Sequence, residues 1–136
     1  MRQPNHLLIL ISFLSLLACD LNEKNEDLES LIGLWEQVEK RTTIASGWIV
    51  LGGGGSYYNI TFYDDGTHTI QQGDFANSML CSGTWESNGN ALRMKHDCGR
   101  GENEENIHFS IEDTSLTWVY DFSEAGKKFV RSDDTE

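Results

Sequence analysis

The sequence feature that most constrains the fold is a succession of short alternating segments, separated by tight turn signals. The segment Ser56–Tyr63 places Tyr58, Ile60 and Phe62 on one face, and the turn motif DDG follows at 64–66. Alternation with a period of two indicates a β-strand. An Asp-Gly or Asn-Gly pair between two such runs indicates a tight hairpin. The chain therefore reads as a series of hairpins and shows no long helical pattern.

Segments of this kind follow one another from residue 34 to residue 132. They are Leu34–Arg41, Ser56–Tyr63, Thr67–Gln72, Leu80–Glu86, Ala91–His96, Ile107–Glu112, Leu116–Asp121 and Lys128–Ser132. Sequential strands at near-even spacing favour an up-and-down meander, and closure into a barrel removes exposed edges. We predict an all-β domain over residues 31–136, a short eight-stranded antiparallel up-and-down β-barrel. Residues 42–55 and 101–106 are interpreted as loops.

The first residues predict an export signal and not part of the fold. Leu7–Leu17 is an apolar run too short to span a bilayer, which needs about 20 residues. It has the length of a signal-peptide core. The run ends Leu17-Ala18-Cys19 and resembles the lipobox of bacterial lipoproteins. The resemblance implies a signal peptide over residues 1–18, lipid attachment at Cys19 and an acidic tether over residues 19–30. The alternative is an ordinary signal peptide with a free thiol at Cys19.

The net charge of the chain excludes some classes of binding partner. The chain carries 10 Lys and Arg against 22 Asp and Glu, a net charge of −12. Such a balance argues against nucleic acid and against a basic patch that binds anionic lipid headgroups. The resemblance to a lipobox implies a protein attached through a lipid anchor to the outer membrane in the cell envelope of a Gram-negative bacterium. Either the periplasmic or the surface side is compatible with this, and the sequence identifies no protein partner.

Three motifs resemble the lipocalin, or calycin, superfamily, and in particular small lipocalin-like lipoproteins of the Bacteroidota type. They are Gly33-Leu34-Trp35 at the first strand, the run from Thr61 to Thr67, and Gly83-Thr84-Trp85. In that family an arginine near the last strand packs across the first-strand tryptophan. The resemblance therefore implies that Trp35 and Arg131 close one end of the barrel. A cation–π pair of this kind contributes about 0.5–2 kcal/mol.

The functional expectation is binding, not catalysis. The sequence shows no set of nucleophile, base and orienting residue, so we expect no enzyme activity, no cofactor and no metal. The resemblance implies a membrane-tethered protein that holds a small hydrophobic molecule in its barrel. The candidate contacts are the aromatic residues Trp48, Tyr58, Phe62, Trp85, Phe109 and Trp118. The alternative is a protein- or glycan-binding module with a side-chain-filled barrel, for example a calycin-type protease inhibitor.

Two cysteines are expected to face each other. Cys81 and Cys98 lie on the same side of two strands joined by the Asn-Gly hairpin at 88–89. In an exported protein this arrangement predicts a disulfide. The alternative is a metal site that adds His96 and perhaps His68 as ligands, although the spacing matches no standard zinc motif.

Overall fold

The computed structural model describes residues 30–51, 55–74, 76–121 and 123–132. Its strands are β1 (Gly33–Arg41), β2 (Ile49–Val50), β3 (Tyr57–Phe62), β4 (Thr67–Gly73), β5 (Ser78–Asn88), β6 (Ala91–Asp97), β7 (Glu102–Glu112), β8 (Ser115–Tyr120) and β9 (Gly126–Arg131). One short 3-10 helix spans Ile44–Ser46. The signal segment, Cys19 and the tether before residue 30 lie outside the described residues. Within the described residues no helix is long and apolar enough to cross a membrane.

The sheet closes on itself. Strands β3 to β9 pair in sequence order, and β1 pairs with β3 along one edge and with β9 along the other. All pairings are antiparallel, including the closing pair in which Trp35 lies opposite Arg131. The predicted eight-stranded up-and-down barrel is confirmed. The structure adds β2, which pairs with the far end of β1 at Glu39 and Lys40.

Two segments that were predicted as loops contain strand. Strand β2 lies inside 42–55, and β7 begins at Glu102, inside the acidic stretch 101–106. Backbone hydrogen bonds do not require apolar side chains, so a polar segment can pair as a strand with the backbone of a neighbouring strand. On β7, Glu104 forms ion pairs with Arg93 at 2.8 Å and Lys95 at 3.7 Å on β6. These cross-strand pairs explain how an acidic run forms a strand.

The closed end of the barrel is plugged by Trp35. Its side chain is 0% exposed, and its Nε1 donates a hydrogen bond to the carbonyl of Leu31 at 2.8 Å. The Cζ atom of Arg131 lies 4.7 Å from the indole centroid. The same guanidinium donates to the carbonyls of Ser30 and Ile32. Arg131 therefore ties the residues before β1 to the last strand.

Gly33 is required by this closure. Its φ of +131° lies in a region that side-chain-bearing residues rarely adopt. A Cβ at Gly33 would also lie only 3.3 Å from Nη1 of Arg131. A glycine two residues before the plug lets the backbone turn beneath the guanidinium.

The interior has two halves of different character. The half toward the closed end is filled by buried residues, which include Leu31, Trp35, Ile60, Phe62, Trp85, Leu92, Met94, Ile107, Phe109, Leu116, Trp118 and Phe129. Toward the other end, which we call the mouth, inward positions carry polar groups that include Tyr58, Gln72, Glu105 and Lys127. The mouth is where β1, β4, β6 and β8 end. Within the described residues, the packed core therefore leaves space for a ligand inside the barrel only toward the mouth.

Candidate functional site

A cavity of about 670 Å³ opens at the mouth; we call it the mouth cavity. Apolar atoms make up most of its wall surface, and Leu51, Tyr57, Tyr58 and Met79 are among the residues that line it. A smaller cavity of about 270 Å³, the side compartment, shares Tyr58, Gln72 and Lys127 with it. Because three residues line both, the two spaces adjoin. Together they form the candidate site.

Lys127 lies where the two spaces meet. Its Nζ is 3.4 Å from the ring centroid of Tyr58, 5.3 Å from that of Trp118 and 5.8 Å from that of Tyr120. Burial lowers the pKa of Lys127 to about 8, and the charge of Glu105 opposes that shift. Within the described residues its ammonium forms no hydrogen bond and no ion pair. A cation with three donors is therefore held against aromatic faces, which supply attraction but no acceptor atom.

The strand geometry explains how this lysine reaches the interior. On β9, Lys127 alternates with Phe129 and Arg131, so the three side chains share the inward face. Opposite them, the register between β1 and β9 shifts between Gln37 and Glu39. Such a bulge changes which side chains of a strand point inward. As a result Lys40 pairs with Lys127, and both line the mouth cavity.

Glu105 faces the same space from β7. It is half-buried and lines the side compartment. Its Oε2 is buried and has no hydrogen-bond partner within the described residues. Burial, reinforced by the charge of Glu105, raises the pKa of Tyr58 and of Tyr120, so both phenols stay protonated. The site thus brings together Glu105, the ammonium of Lys127 and two neutral phenols, and among the described residues neither Oε2 of Glu105 nor Nζ of Lys127 has a hydrogen-bond partner.

The predicted ligand contacts are dispersed. Of the six aromatic residues, Tyr58 lines the mouth cavity. Phe62, Trp85, Phe109 and Trp118 belong to the buried core. Trp85 is held there by donating from Nε1 to the carbonyl of Thr67 at 2.8 Å. Sequence reasoning missed Lys127 and Glu105 because both fell outside the predicted strands. Beginning the last strand one residue earlier would have included Lys127, on the same face as Arg131.

Trp48 packs on the outside of the barrel. Since Lys127 points inward, the Cβ position of Gly126 points outward, and there it would lie 3.0 Å from the Trp48 ring. Two cations flank that ring, with Arg41 Cζ at 4.7 Å and Lys128 Nζ at 4.5 Å from its centroid. Trp48 therefore anchors the long loop to the wall of the barrel beside the mouth.

No protein-family model, curated protein or solved structure matches the chain. The barrel itself follows from the strand pairings. Membership of the lipocalin superfamily is a proposal that rests on the motifs and on the closure by Trp35 and Arg131.

Cys81 and Cys98 are joined by a disulfide, with Cα atoms 4.3 Å apart, as the facing strands predicted. Bonded sulfurs are not available as thiolate ligands, and the described residues contain no cluster of three or more metal-ligating side chains. The alternative of a metal site at Cys81, Cys98 and His96 thus finds no support in this geometry.

A pair of buried histidines lies beneath the disulfide. His68 and His96 both pair with Gly83, one from each side, and their ring centroids are 5.7 Å apart. Burial, followed by the proximity of His96, lowers the pKa of His68 to about 4. The backbone of Thr84 opposes the shift slightly, but neither nitrogen of His68 forms a hydrogen bond of normal geometry within the described residues. His68 is therefore a neutral core residue at pH 7.

The buried His68 predicts a loss of stability in mild acid. An unfolded histidine titrates near 6.5, so below that pH the unfolded state binds a proton that folded His68 accepts only near 4. We expect the free energy of unfolding to fall by about 2 kcal/mol between pH 7 and pH 5 from this residue alone. Urea denaturation at both pH values measures the difference. His68→Phe should reduce this difference. An equal pH dependence in the variant and in the unmodified protein would contradict the prediction.

Proposed function

We propose that this chain is a lipid-anchored, lipocalin-like binding protein that holds a small, mainly apolar molecule in the mouth cavity. The observation that carries the proposal is an open space of about 670 Å³ with mostly apolar walls in a barrel whose other half is packed. Pockets for small molecules typically measure about 300–1,000 Å³. The packed half supplies a rigid frame, and the mouth supplies the site. The proposed role is binding and release, without a chemical step.

The anchor is part of the proposal. It is supported by the apolar run that ends at Cys19 and by the acidic segment after it. Two or more acyl chains give stable membrane attachment, whereas one chain is marginal. In the native host, Cys19→Ser should therefore move the protein from the membrane fraction to the soluble fraction. A variant that stays with the membrane would contradict the lipid anchor but leave the cavity proposal intact.

Native mass spectrometry of the full chain tests the binding role. The protein should be prepared from an oxidising compartment and measured before and after extraction with organic solvent. We expect an additional mass that the extraction removes and that returns when an apolar ligand is supplied. A spectrum without additional mass, together with no uptake of added ligand, would refute the proposed function.

A matched pair of substitutions locates the site. Met79 lines the mouth cavity, and the next residue, Leu80, is 69% exposed. Successive strand residues point to opposite faces, so Met79→Trp adds bulk inside the mouth and Leu80→Trp adds it outside. We expect Met79→Trp to weaken ligand uptake about tenfold or more, because the pocket loses volume and its ligand contacts. Leu80→Trp should bind as the unmodified protein does. Equal binding by both variants would place the ligand elsewhere.

One observation favours a second candidate function. Between β1 and β3, Ile44 in the 3-10 helix and Ile49 and Val50 in β2 are 60%, 45% and 73% exposed. Exposed apolar side chains grouped in one segment are a feature of protein-binding surfaces. Two results together would favour the alternative of a protein- or glycan-binding module. The barrel would take up no ligand, and Val50→Asp would abolish a function of the cell envelope that Leu80→Asp leaves intact.

A further inference from the structure

The charge at the mouth is opposite to that of the whole molecule. The chain carries 22 acidic against 10 basic residues, yet among the described residues the two adjoining spaces are lined by four basic and two acidic side chains. The basic residues are Lys40, Arg41, Arg100 and Lys127, and the acidic ones are Asp74 and Glu105. A concave site with low-dielectric walls focuses the field of such charges. The mouth is thus a local attractor for anions in an acidic protein.

Among these four cations in the described residues, Lys127 is partly buried in the interior and has no acceptor, whereas Lys40 and Arg100 are exposed to solvent. The neighbouring Lys128 forms an ion pair with Glu39 at 3.2 Å, and Arg41 donates to the carbonyl of Glu124 at 2.9 Å. Among the described residues, Lys127 lies against aromatic faces and forms no hydrogen bond or ion pair. A desolvated ammonium without an acceptor is costly, and a charge-assisted hydrogen bond is about twice as strong as a neutral one. An acceptor atom supplied by a ligand would give the ammonium of Lys127 the hydrogen bond that it lacks.

The geometry points to Lys127 as the anchor for the carboxylate of an amphipathic acid, whose apolar body lies in the mouth cavity against Leu51, Tyr57 and Met79. This inference rests on the proposed function and deepens it by naming the ligand class. The aromatic cage fixes the position of the ammonium, and the apolar walls between it and solvent suit a hydrocarbon chain. Tyr58, which touches the ammonium, lines both spaces and orients the head of the ligand.

Glu105 sets the strength of this anchor. It is the acidic residue that shares the side compartment with Lys127, and its charge acts on that lysine. A ligand carboxylate therefore competes with Glu105 for the same cation. Removing the charge of Glu105 should tighten the binding of an acid, whereas removing the charge of Lys127 should weaken it. Substitutions of Glu105 and of Lys127 are thus expected to change the affinity for an acid in opposite directions.

The test compares two probes of equal chain length, decanoate and 1-decanol, by calorimetric titration of the purified full chain at pH 7. Lys127→Met keeps the length of the side chain and removes its charge. We expect it to weaken decanoate about tenfold or more, on the scale of a lost charge-assisted hydrogen bond. Glu105→Gln should tighten decanoate about threefold or more by relieving like-charge repulsion. The affinity for 1-decanol should change by less than about threefold in either variant, because the alcohol carries no charge.

The control is Lys95→Met, which removes an equal charge from β6, where Lys95 pairs with Glu104 on the outer face. It should leave both affinities unchanged. If the unmodified protein binds decanoate and 1-decanol and neither affinity responds to Lys127→Met or Glu105→Gln, the anchor is refuted and the proposed function stands. If neither probe binds at all, the proposed function fails together with this inference.

A pH titration of the unmodified protein gives a second test that depends on no variant. The pKa of Lys127 is lowered to about 8, and Tyr58 and Tyr120 facing it remain protonated in alkali because their pKa values are raised. Glu105 on β7 acts on its charge, and Lys40 pairs with it on β1. Within the described residues, the two spaces are also lined by Arg41, Asp74, His96 and Arg100. Between pH 7 and pH 9.5 we expect the preference for decanoate over 1-decanol to fall about tenfold, as Lys127 loses its proton. A constant preference over that range would overturn the anchor.

Discussion

Gly83→Ala is expected to destabilise the barrel by about 4 kcal/mol, near the upper limit for a single added methyl group. A Cβ at this position would lie 1.8 Å from the carbonyl oxygen of Lys95 and 2.7 Å from the Cα of His96. Both atoms belong to the backbone of β6, so no side-chain rotation relieves the contact. The strands must separate, and buried backbone hydrogen bonds next to the core are weakened as well.

Gly83 also determines the surroundings of the two histidines. It pairs with His68 on one side and with His96 on the other, and the missing side chain leaves room for their rings to meet. Urea denaturation followed by tryptophan fluorescence measures the loss. Gly55→Ala is the matched control, because a Cβ there meets nothing within 4 Å. A Gly83→Ala protein that is as stable as Gly55→Ala would show that β5 and β6 are not packed as described.

Removal of the disulfide is the second large effect. Cys81 and Cys98 are separated by 17 residues, and a loop of this length predicts a stabilisation of about 3 kcal/mol through the entropy of the unfolded chain. Cys81 is fully buried, so alanine is a better replacement than serine, which would leave a buried hydroxyl. We expect the double variant Cys81→Ala/Cys98→Ala to unfold at a correspondingly lower urea concentration.

Reduction of the unmodified protein checks this result without any substitution. The link lies just beyond the last ladder pair of β5 and β6, Ser82 with Asp97, and it borders the side compartment. A reducing agent should add two hydrogens to the mass and lower the unfolding midpoint to that of the double variant. If the mass changes and the midpoint does not, the bond contributes little and the strands hold the mouth together alone.

The strand order and the facing of the two cysteines were predictable because they depend on local patterns. Hairpins at Asp65-Gly66 and Asn88-Gly89 follow from turn chemistry, and Gly66 and Gly89 have φ values of +80° and +59°. The facing of Cys81 and Cys98 follows from the period of two and the register of one hairpin. In each case residues close in sequence carry the information.

The site was harder to predict because it depends on residues far apart in the chain. Lys127 and Glu105 are unremarkable charged residues in sequence, and each reads as part of a solvated turn. Their inward direction depends on where β7 and β9 begin, and the neighbouring strand decides this. The aromatic residues Phe62, Phe109 and Trp118 alternate as predicted, but alternation does not distinguish a core position from a cavity wall.

By itself, the sequence determined the all-β class, the up-and-down order and the facing of Cys81 and Cys98 across two strands. These follow from turn propensity and from a side-chain period that every strand obeys. Only the tertiary structure decided which half of the barrel is filled, that β1 carries a bulge near Val38, and that a lysine stands unpaired against Tyr58 at the mouth. The physical reason is that cavity volume and burial of charge depend on how all eight strands close, whereas turns depend only on neighbouring residues.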